Sequence, residues 1–546
     1  MNPQIDPNMK STMKKCLLAS LMAVASLNLS AEVRLPSVIC DGMVLQRGQP
    51  ISIWGWADSD ENFTLCWRDA CYLVTADSEG RWELTLPAEK AGGPYSMSIG
   101  EKEINDILIG DVFLCSGQSN MELPIRRVTD MFAEEVAGYE NNRIRQYIVP
   151  KVYDFNRPQE DTPASSWKTC TQENVMEFSA LAYFFAKEMY AANGVPVGII
   201  NASWGGTPVE AWMSEEALAP FPRHINEKRI YEDEGYRRRI KELEGEEFYR
   251  WNTALHKGDP GFQGERKWYD PDFDDSSWKV VHMFSKDWGN DGLNPVGGSH
   301  WFRKDFLADR ESAGKDAVLR LGCIVDSDSV YVNGKFVGTT GYQYPPRIYR
   351  IPAGTLKEGR NNVTVRIISS GGEPHFVQDK PYKVICGDHE ISLEGNWRYC
   401  MGAPMPPAPS MMFFCYKPVC LYNAMIAPLS NLNFKAVLWY QGESNVDRRN
   451  EYTSLLKGMI QDWRETFGDE DLPFYIVELA DFLHESDKAG RAAWQEMRQM
   501  QAEAAKGTSN AVLIRNCDLG EWNDIHPLDK KTLGKRAAEA VLGNMD

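Results

Sequence analysis

The chain has 546 residues, too many for one hydrophobic core, so two to four domains are expected. Its hydrophobic content of 43% with 17 tryptophans excludes a disordered protein, and its formal net charge of -18 argues against nucleic acid and anionic membrane surfaces as partners. The same charge gives no long-range attraction to an anionic ligand, so a carboxylate-bearing substrate must be met by a local Arg or Lys.

Residues 1–31 read as a leader. Lys14 and Lys15 precede an apolar run over residues 16–29, and the small residues Ser30 and Ala31 come before Glu32. This is the pattern of a secretory signal peptide beginning at Met13, with a run too short to anchor in a bilayer. The expectation is an exported protein, periplasmic or extracellular, whose mature form does not insert in a membrane. Of 12 cysteines, Cys66 and Cys71 are spaced to face each other across a hairpin, although buried free thiols are the expected state. The eight histidines form no HExxH or His/Cys cluster, so neither a metal nor another cofactor is expected.

Residues 33–105 read as short strands with turn signals about every ten residues, a rhythm that predicts a small β-sandwich without chemistry of its own. From residue 106 to 250 strands and helices alternate. The apolar strand 107–115 breaks at Gly117 and presents Ser119 between Gln118 and Asn120. A helix is predicted over 180–192, ended by Asn193-Gly194, and a buried strand over 196–202 leads into Ser203-Trp-Gly-Gly-Thr-Pro208. Strand, helix, strand at this spacing implies a parallel sheet. The charge-dense stretch 226–251 reads as a solvated helix.

Residues 255–405 return to β character, with Asn333-Gly334 as a hairpin turn, and so form an inserted domain. A strand ending in Val332-Asn333-Gly334 resembles the galactose-binding-like jelly rolls that accompany sugar-processing enzymes, which suggests a carbohydrate context. Over 410–546 the α/β pattern resumes. Strand 434–440 ends in Gln441-Gly442-Glu443-Ser444-Asn445, helices are predicted at 452–466 and 492–505, and the last strand is 511–514. After it come Asp524 and His526, with Pro527 predicted at the first position of a closing helix.

Four polar clusters thus follow strands of one parallel sheet, and right-handed crossovers bring such strand ends to a common rim. Each alone has an ordinary explanation: a helix cap, a tight turn, a hydrogen-bonded loop, a surface histidine. Together they supply the parts for acyl transfer. Ser119 is the candidate nucleophile, His526 the base and Asp524 the group that fixes the imidazole tautomer. Ser119, Gly205 and Gly206 are candidate backbone oxyanion donors, and Gln441 and Asn445 candidate amide donors, with Glu443 as a supporting residue. The Gly-x-Ser-x-Gly elbow is absent because Met121 stands at its second glycine, which disfavours an α/β-hydrolase.

Gly117-Gln-Ser-Asn-Met121, Ser203-Trp-Gly-Gly-Thr-Pro-Val-Glu-Ala-Trp-Met213, Tyr422-Asn-Ala-Met-Ile-Ala-Pro-Leu429, Trp439-Tyr-Gln-Gly-Glu-Ser-Asn445 and Asp524-Ile-His-Pro527 together resemble the sialate O-acetylesterase family of SGNH hydrolases. The likeness runs from about residue 35 to the end. It implies an α/β fold with a flavodoxin-like three-layer core, metal-free ester hydrolysis, and removal of acetyl groups from the hydroxyls of sialic acid. Carried over by position, Ser119 is nucleophile and first oxyanion donor, Gly205 or Gly206 the second, and Gln441, nearer its strand end than Asn445, the amide donor. The wider superfamily separates its final Asp and His by two residues, whereas only Ile525 intervenes here. Asp518 or a backbone carbonyl therefore competes with Asp524 for the role of orienting His526. The partner implied is an O-acetylated sialoglycan. Acetylxylan or another acetylated glycan is the rival substrate, and a non-catalytic glycan-binding protein on a hydrolase scaffold is the rival class.

Overall fold

The structure is a computed structural model that describes residues 33–285, 288 and 297–544. The leader, residues 1–31, lies outside them. Among the described residues no helix is long and apolar enough to cross a membrane.

The centre is a large mixed sheet built around one 16-residue strand, Lys102–Gly117. Its second half is buried without interruption, as expected for a strand covered on both faces. It pairs in parallel with Val197–Ser203 on one side and Ala436–Tyr440 on the other. Asn141–Ile148 lies beyond the first neighbour, and Phe474–Val477 then Ala511–Ile514 beyond the second, all parallel, while Trp167–Cys170 closes one edge antiparallel. The chain therefore fills one side of the central strand and then jumps to the other. That switch opens a crevice at the carboxyl ends of the middle strands, where open α/β sheets bind ligands. Ala-Val-Leu-Trp-Tyr at 436–440 is buried at every position, so both faces of this strand need covering.

Helices supply the cover. Ala180–Asn193 is capped by Ser179 and ends at Gly194 in the left-handed region (φ 66°), where glycine avoids Cβ strain. Phe185 meets Phe113 of the central strand edge-on at 4.8 Å, and each such buried aromatic contributes on the order of 2 kcal/mol. Tyr452–Phe467 and Lys488–Lys506 form a second pair, and Lys530–Gly543 packs on Ala180–Asn193. Pro527 does not open that last helix, contrary to the sequence expectation. Asp529 caps it, accepting the Thr532 amide at 2.9 Å, and this places the start three residues later.

The first half of the central strand crosses position 105. It pairs antiparallel with Gly92–Ile99 and parallel with Val44–Gln46, so the N-terminal strands share the sheet and the hydrophobic core of the α/β region. Cys66 and Cys71 are directly opposed in the hairpin Asn62–Trp67/Ala70–Thr75 and form a disulfide, which corrects the expectation of free thiols. The remaining cysteines among the described residues are free.

Strands between Lys279 and Pro404 form antiparallel sheets of six and four strands around a separate core. Asn333 and Gly334 make the expected turn with φ of 49° and 79°, the two positive values a tight hairpin requires. The charge-dense stretch folds as the helices Pro222–Tyr231 and Glu234–Gly258, the second mostly exposed and buried only at Trp251 and Leu255.

Candidate active site

Ser119 stands where the central strand must turn. Gly117 has φ 133°, and a Cβ there would overlap the carbonyl of Tyr440, so only glycine lets the strand run this close to its neighbour. The turn is stitched on both sides. The Gln118 amide donates to Tyr440 O at 3.0 Å, and the Trp204 amide donates to Gly117 O at 3.1 Å. Ser119 then opens a single helical turn, Ser119–Glu122, so its own N–H has no acceptor within the helix.

His526 arrives from the far edge of the sheet. Ala511–Ile514 is three strands from the centre, so the loop after it has to cross the rim. Asn516 anchors the crossing by donating to the Tyr440 phenol at 2.8 Å and to Glu478 O at 2.9 Å. Asn120 anchors its end by donating to Ile525 O at 2.9 Å. The result places His526 Nε2 2.8 Å from Ser119 Oγ, within reach of a proton transfer. His526 is 7% exposed. Burial pushes its pKa down to about 3, with the Arg127 and Lys530 charges adding to the effect. At neutral pH the ring is therefore uncharged, the state in which it accepts a proton.

The other face of the ring is less settled by contacts. Among the described residues Nδ1 has no hydrogen-bond partner. Asp524 Oδ1 lies 3.8 Å from it, beyond hydrogen-bonding distance, and accepts the His526 backbone amide at 2.9 Å instead. Burial raises the Asp524 pKa, opposed by Lys380, whose Nζ lies 3.4 Å from Oδ2. Asp518, the rival orienting group, is held by Arg536 at 2.7 and 2.8 Å and does not meet the ring. Asp524 is thus the carboxylate beside the histidine, positioned to stabilise an imidazolium through space.

Gly205 adjoins the serine: a Cβ on it would lie 3.3 Å from Ser119 Cβ. Its N–H donates to Glu122 Oε2 at 2.6 Å, and the other oxygen of Glu122 pairs with Lys151. A carboxylate oxygen therefore already occupies this amide. Gly206, with φ 80°, runs against the Tyr416 phenol.

The two candidate amide donors are not presented to the serine. Gln441 Nε2 donates to Asn445 Oδ1 at 2.7 Å and lies 3.3 Å from both Gln118 Oε1 and Thr207 O, which uses its two hydrogens. Asn445 donates to Glu210 at 2.9 Å and accepts from the Val209 amide at 3.0 Å. Both side chains brace the loops around Ser119 and do not serve as oxyanion donors here.

Glu443 lies under the site. Its Oε1 accepts from Asn120 at 2.7 Å, and its pKa is pushed up to about 7 by burial, with Asn120 and Lys530 opposing. Lys530, pushed down to about 8 by burial, donates to Asn120 Oδ1 at 2.8 Å. Sequence reasoning assigned no role to Asn120, Lys530, Lys380 or Arg127. Only Asn120 carried a signal, its place next to Ser119.

The β-rich region also reaches the site. Tyr344 packs edge-on against the His526 ring at 5.0 Å, Lys380 pairs with Glu521 at 2.6 Å, and Asn523 donates to Gln378 O at 2.6 Å.

Residues 109–243 and 414–543 match the model of a family described as carbohydrate esterase, sialic acid-specific acetylesterase. The sialate O-acetylesterase of Mus musculus is 23% identical over 559 residues, covering 94% of this chain and 74% of that protein. The sialate O-acetylesterase of Homo sapiens is 31% identical over 211 residues, 34% of this chain and 39% of that protein. Among solved structures, a carbohydrate acetylesterase from Xanthomonas citri covers 93% of this chain and 74% of its own, at 24% identity with a TM-score of 0.55. That likeness shows a common fold.

Proposed function

The α/β core of this chain belongs to the carbohydrate esterase family of sialic acid-specific acetylesterases, and from that premise we propose that the protein hydrolyses O-acetyl esters of sialic acid with Ser119 as nucleophile. The observation that carries this reading is the 2.8 Å separation of His526 Nε2 from Ser119 Oγ at a strand-switch crevice.

The chemistry runs in two halves. Ser119 Oγ attacks the acetyl carbonyl while His526 Nε2 takes its proton. Negative charge develops on the carbonyl oxygen, and the N–H groups of Ser119 and Gly205 are assigned in this reading as its donors. For Gly205 to act, the Glu122 carboxylate has to swing away toward Lys151, with which it already pairs. The imidazolium returns its proton to the departing sugar hydroxyl, leaving acetyl-Ser119. Water activated by His526 then releases acetate. Asp524, 3.8 Å from Nδ1, favours the imidazolium in both halves.

The strand order supports an SGNH-type, flavodoxin-like core, and the pairing of strands 44–99 and the antiparallel sheets of 279–404 support an N-terminal β-sandwich and an inserted β-domain. Export rests on the leader pattern of residues 14–31. The test is acetate release from O-acetylated sialic acid by wild type and Ser119→Ala. The reading expects loss of at least about a thousandfold in the variant with folding intact, and near-normal turnover by the variant overturns it.

A further inference from the structure

Beside His526 a cavity of about 490 Å³ opens between the α/β core and the β-rich region, lined in part by Leu123, Arg127, Lys380 and Asp524. Its cations are mostly spoken for. Arg320 pairs with Asp130, Lys383 with Glu390 at 2.7 Å, Lys380 with Glu521 at 2.6 Å, and the fully buried Arg347 with Asp328 at 2.6 Å. Arg127 differs. Among the described residues no carboxylate lies within ion-pair distance of it, and its one hydrogen bond runs from Nη2 to the Tyr344 carbonyl at 3.1 Å. Its Nε is buried without an acceptor, so the fold leaves this guanidinium only partly satisfied. An arginine without an ion-pair partner, in a cavity that His526 also lines and in a chain of net charge -18, is set against the general trend of the molecule.

On the reading of the chain as a sialate esterase, we propose that Arg127 is the specificity-determining anchor for the carboxylate of an acidic sugar, receiving it on the Nη end of its guanidinium while the acetyl ester lies over Ser119. The guanidinium fork matches a carboxylate in shape and charge, and a neutral xylose or hexose offers no such partner. The anchor also reaches the base. Arg127 helps to hold His526 uncharged, so a substrate carboxylate that neutralises it makes His526 a stronger proton acceptor when the right sugar is bound.

The experiment compares three substrates on the full-length enzyme: an O-acetylated sialic acid methyl glycoside, the same compound as its carboxyl methyl ester, and p-nitrophenyl acetate. The wild type is expected to favour the free carboxylate over the ester by about 10- to 100-fold in kcat/KM, the range of a charge-assisted hydrogen-bond pair. Arg127→Ala is expected to abolish that preference, its kcat/KM on the free carboxylate falling about 10- to 100-fold relative to its own kcat/KM on the methyl ester and the aryl acetate. Arg127→Lys should restore part of it, since it keeps the charge and loses the fork. An undiminished preference in Arg127→Ala overturns the proposal, and so does an equal fall on all three substrates, which would assign Arg127 only the structural task of holding Tyr344. Wild-type turnover of both sialosides without preference overturns the anchor alone. Turnover of aryl acetate with neither sialoside overturns the sialate reading and the anchor with it.

Discussion

Asn120 Nδ2 donates to the carbonyl of Ile525 at 2.9 Å, so the residue after Ser119 holds the residue before His526. The two loops come from strands three places apart in the sheet, and this bond fixes their separation. Asn120 also donates to Glu443 and accepts from Lys530, so a single buried amide ties both buried charges to the reacting pair. Asn120→Ala is expected to destabilise the fold by about 2–4 kcal/mol, because two buried charged groups lose a partner. It should lower kcat about 100-fold or more with KM little changed, because His526 loses its tether. Denaturant melts with steady-state kinetics check both, and an unchanged kcat contradicts the clamp.

Asp524 acts on the ring across 3.8 Å rather than through a hydrogen bond. Its removal should therefore cost less than loss of a hydrogen-bonded triad carboxylate, for which about 10⁴-fold is typical. Asp524→Asn is expected to lower kcat about 10- to 100-fold. A fall near 10⁴ would indicate that the ring turns to bond Asp524 during reaction.

The core was legible in the sequence for a physical reason: its parallel strands are continuous apolar runs, and its helices carry apolar faces between a cap and a glycine. Ser119 and His526 were legible as polar residues at strand ends. The partners of Gln441 and Asn445 were not, because an amide bonds whatever acceptors the fold brings to it. Glu210, Gln118 and Thr207 reach them from more than 230 residues away in the chain. The Cys66–Cys71 bond depended on register, which one residue of slip would have broken. Lys380, Arg127 and Lys530 carry no signal in the sequence, since their burial or their place beside His526 is created by segments distant in sequence.

The pH dependence follows from His526, with a folded pKa of about 3 against about 6.5 in the unfolded chain. Between those values the unfolded chain takes up a proton that the folded chain refuses, so this group's contribution is complete above pH 6.5 and falls as pH drops toward 3. Near pH 4.5 the loss reaches about 2–3 kcal/mol. His526→Gln should therefore lose less stability than wild type between pH 6.5 and 4.5. The acidic limb of kcat/KM should lie below about pH 5, and a limb near 6.5 would contradict a buried uncharged imidazole.

Gly205 does not take a positive φ, unlike Gly206 at 80°, so its backbone accepts alanine. The added methyl would lie 3.3 Å from both Ser119 Cβ and Glu122 Oε2. Gly205→Ala is expected to leave the melting temperature within a few degrees while lowering kcat/KM about 10- to 100-fold, by crowding the serine and the Glu122 carboxylate. Equal activity would place the oxyanion elsewhere.

The central claim is that Ser119 is made nucleophilic by His526 across 2.8 Å. Labelling with a fluorophosphonate followed by peptide mass spectrometry tests it most directly. The account predicts one phosphonylated residue, Ser119, in wild type, and labelling at least about 100-fold slower in His526→Ala. Labelling at another residue, or equal rates in the two proteins, would contradict it.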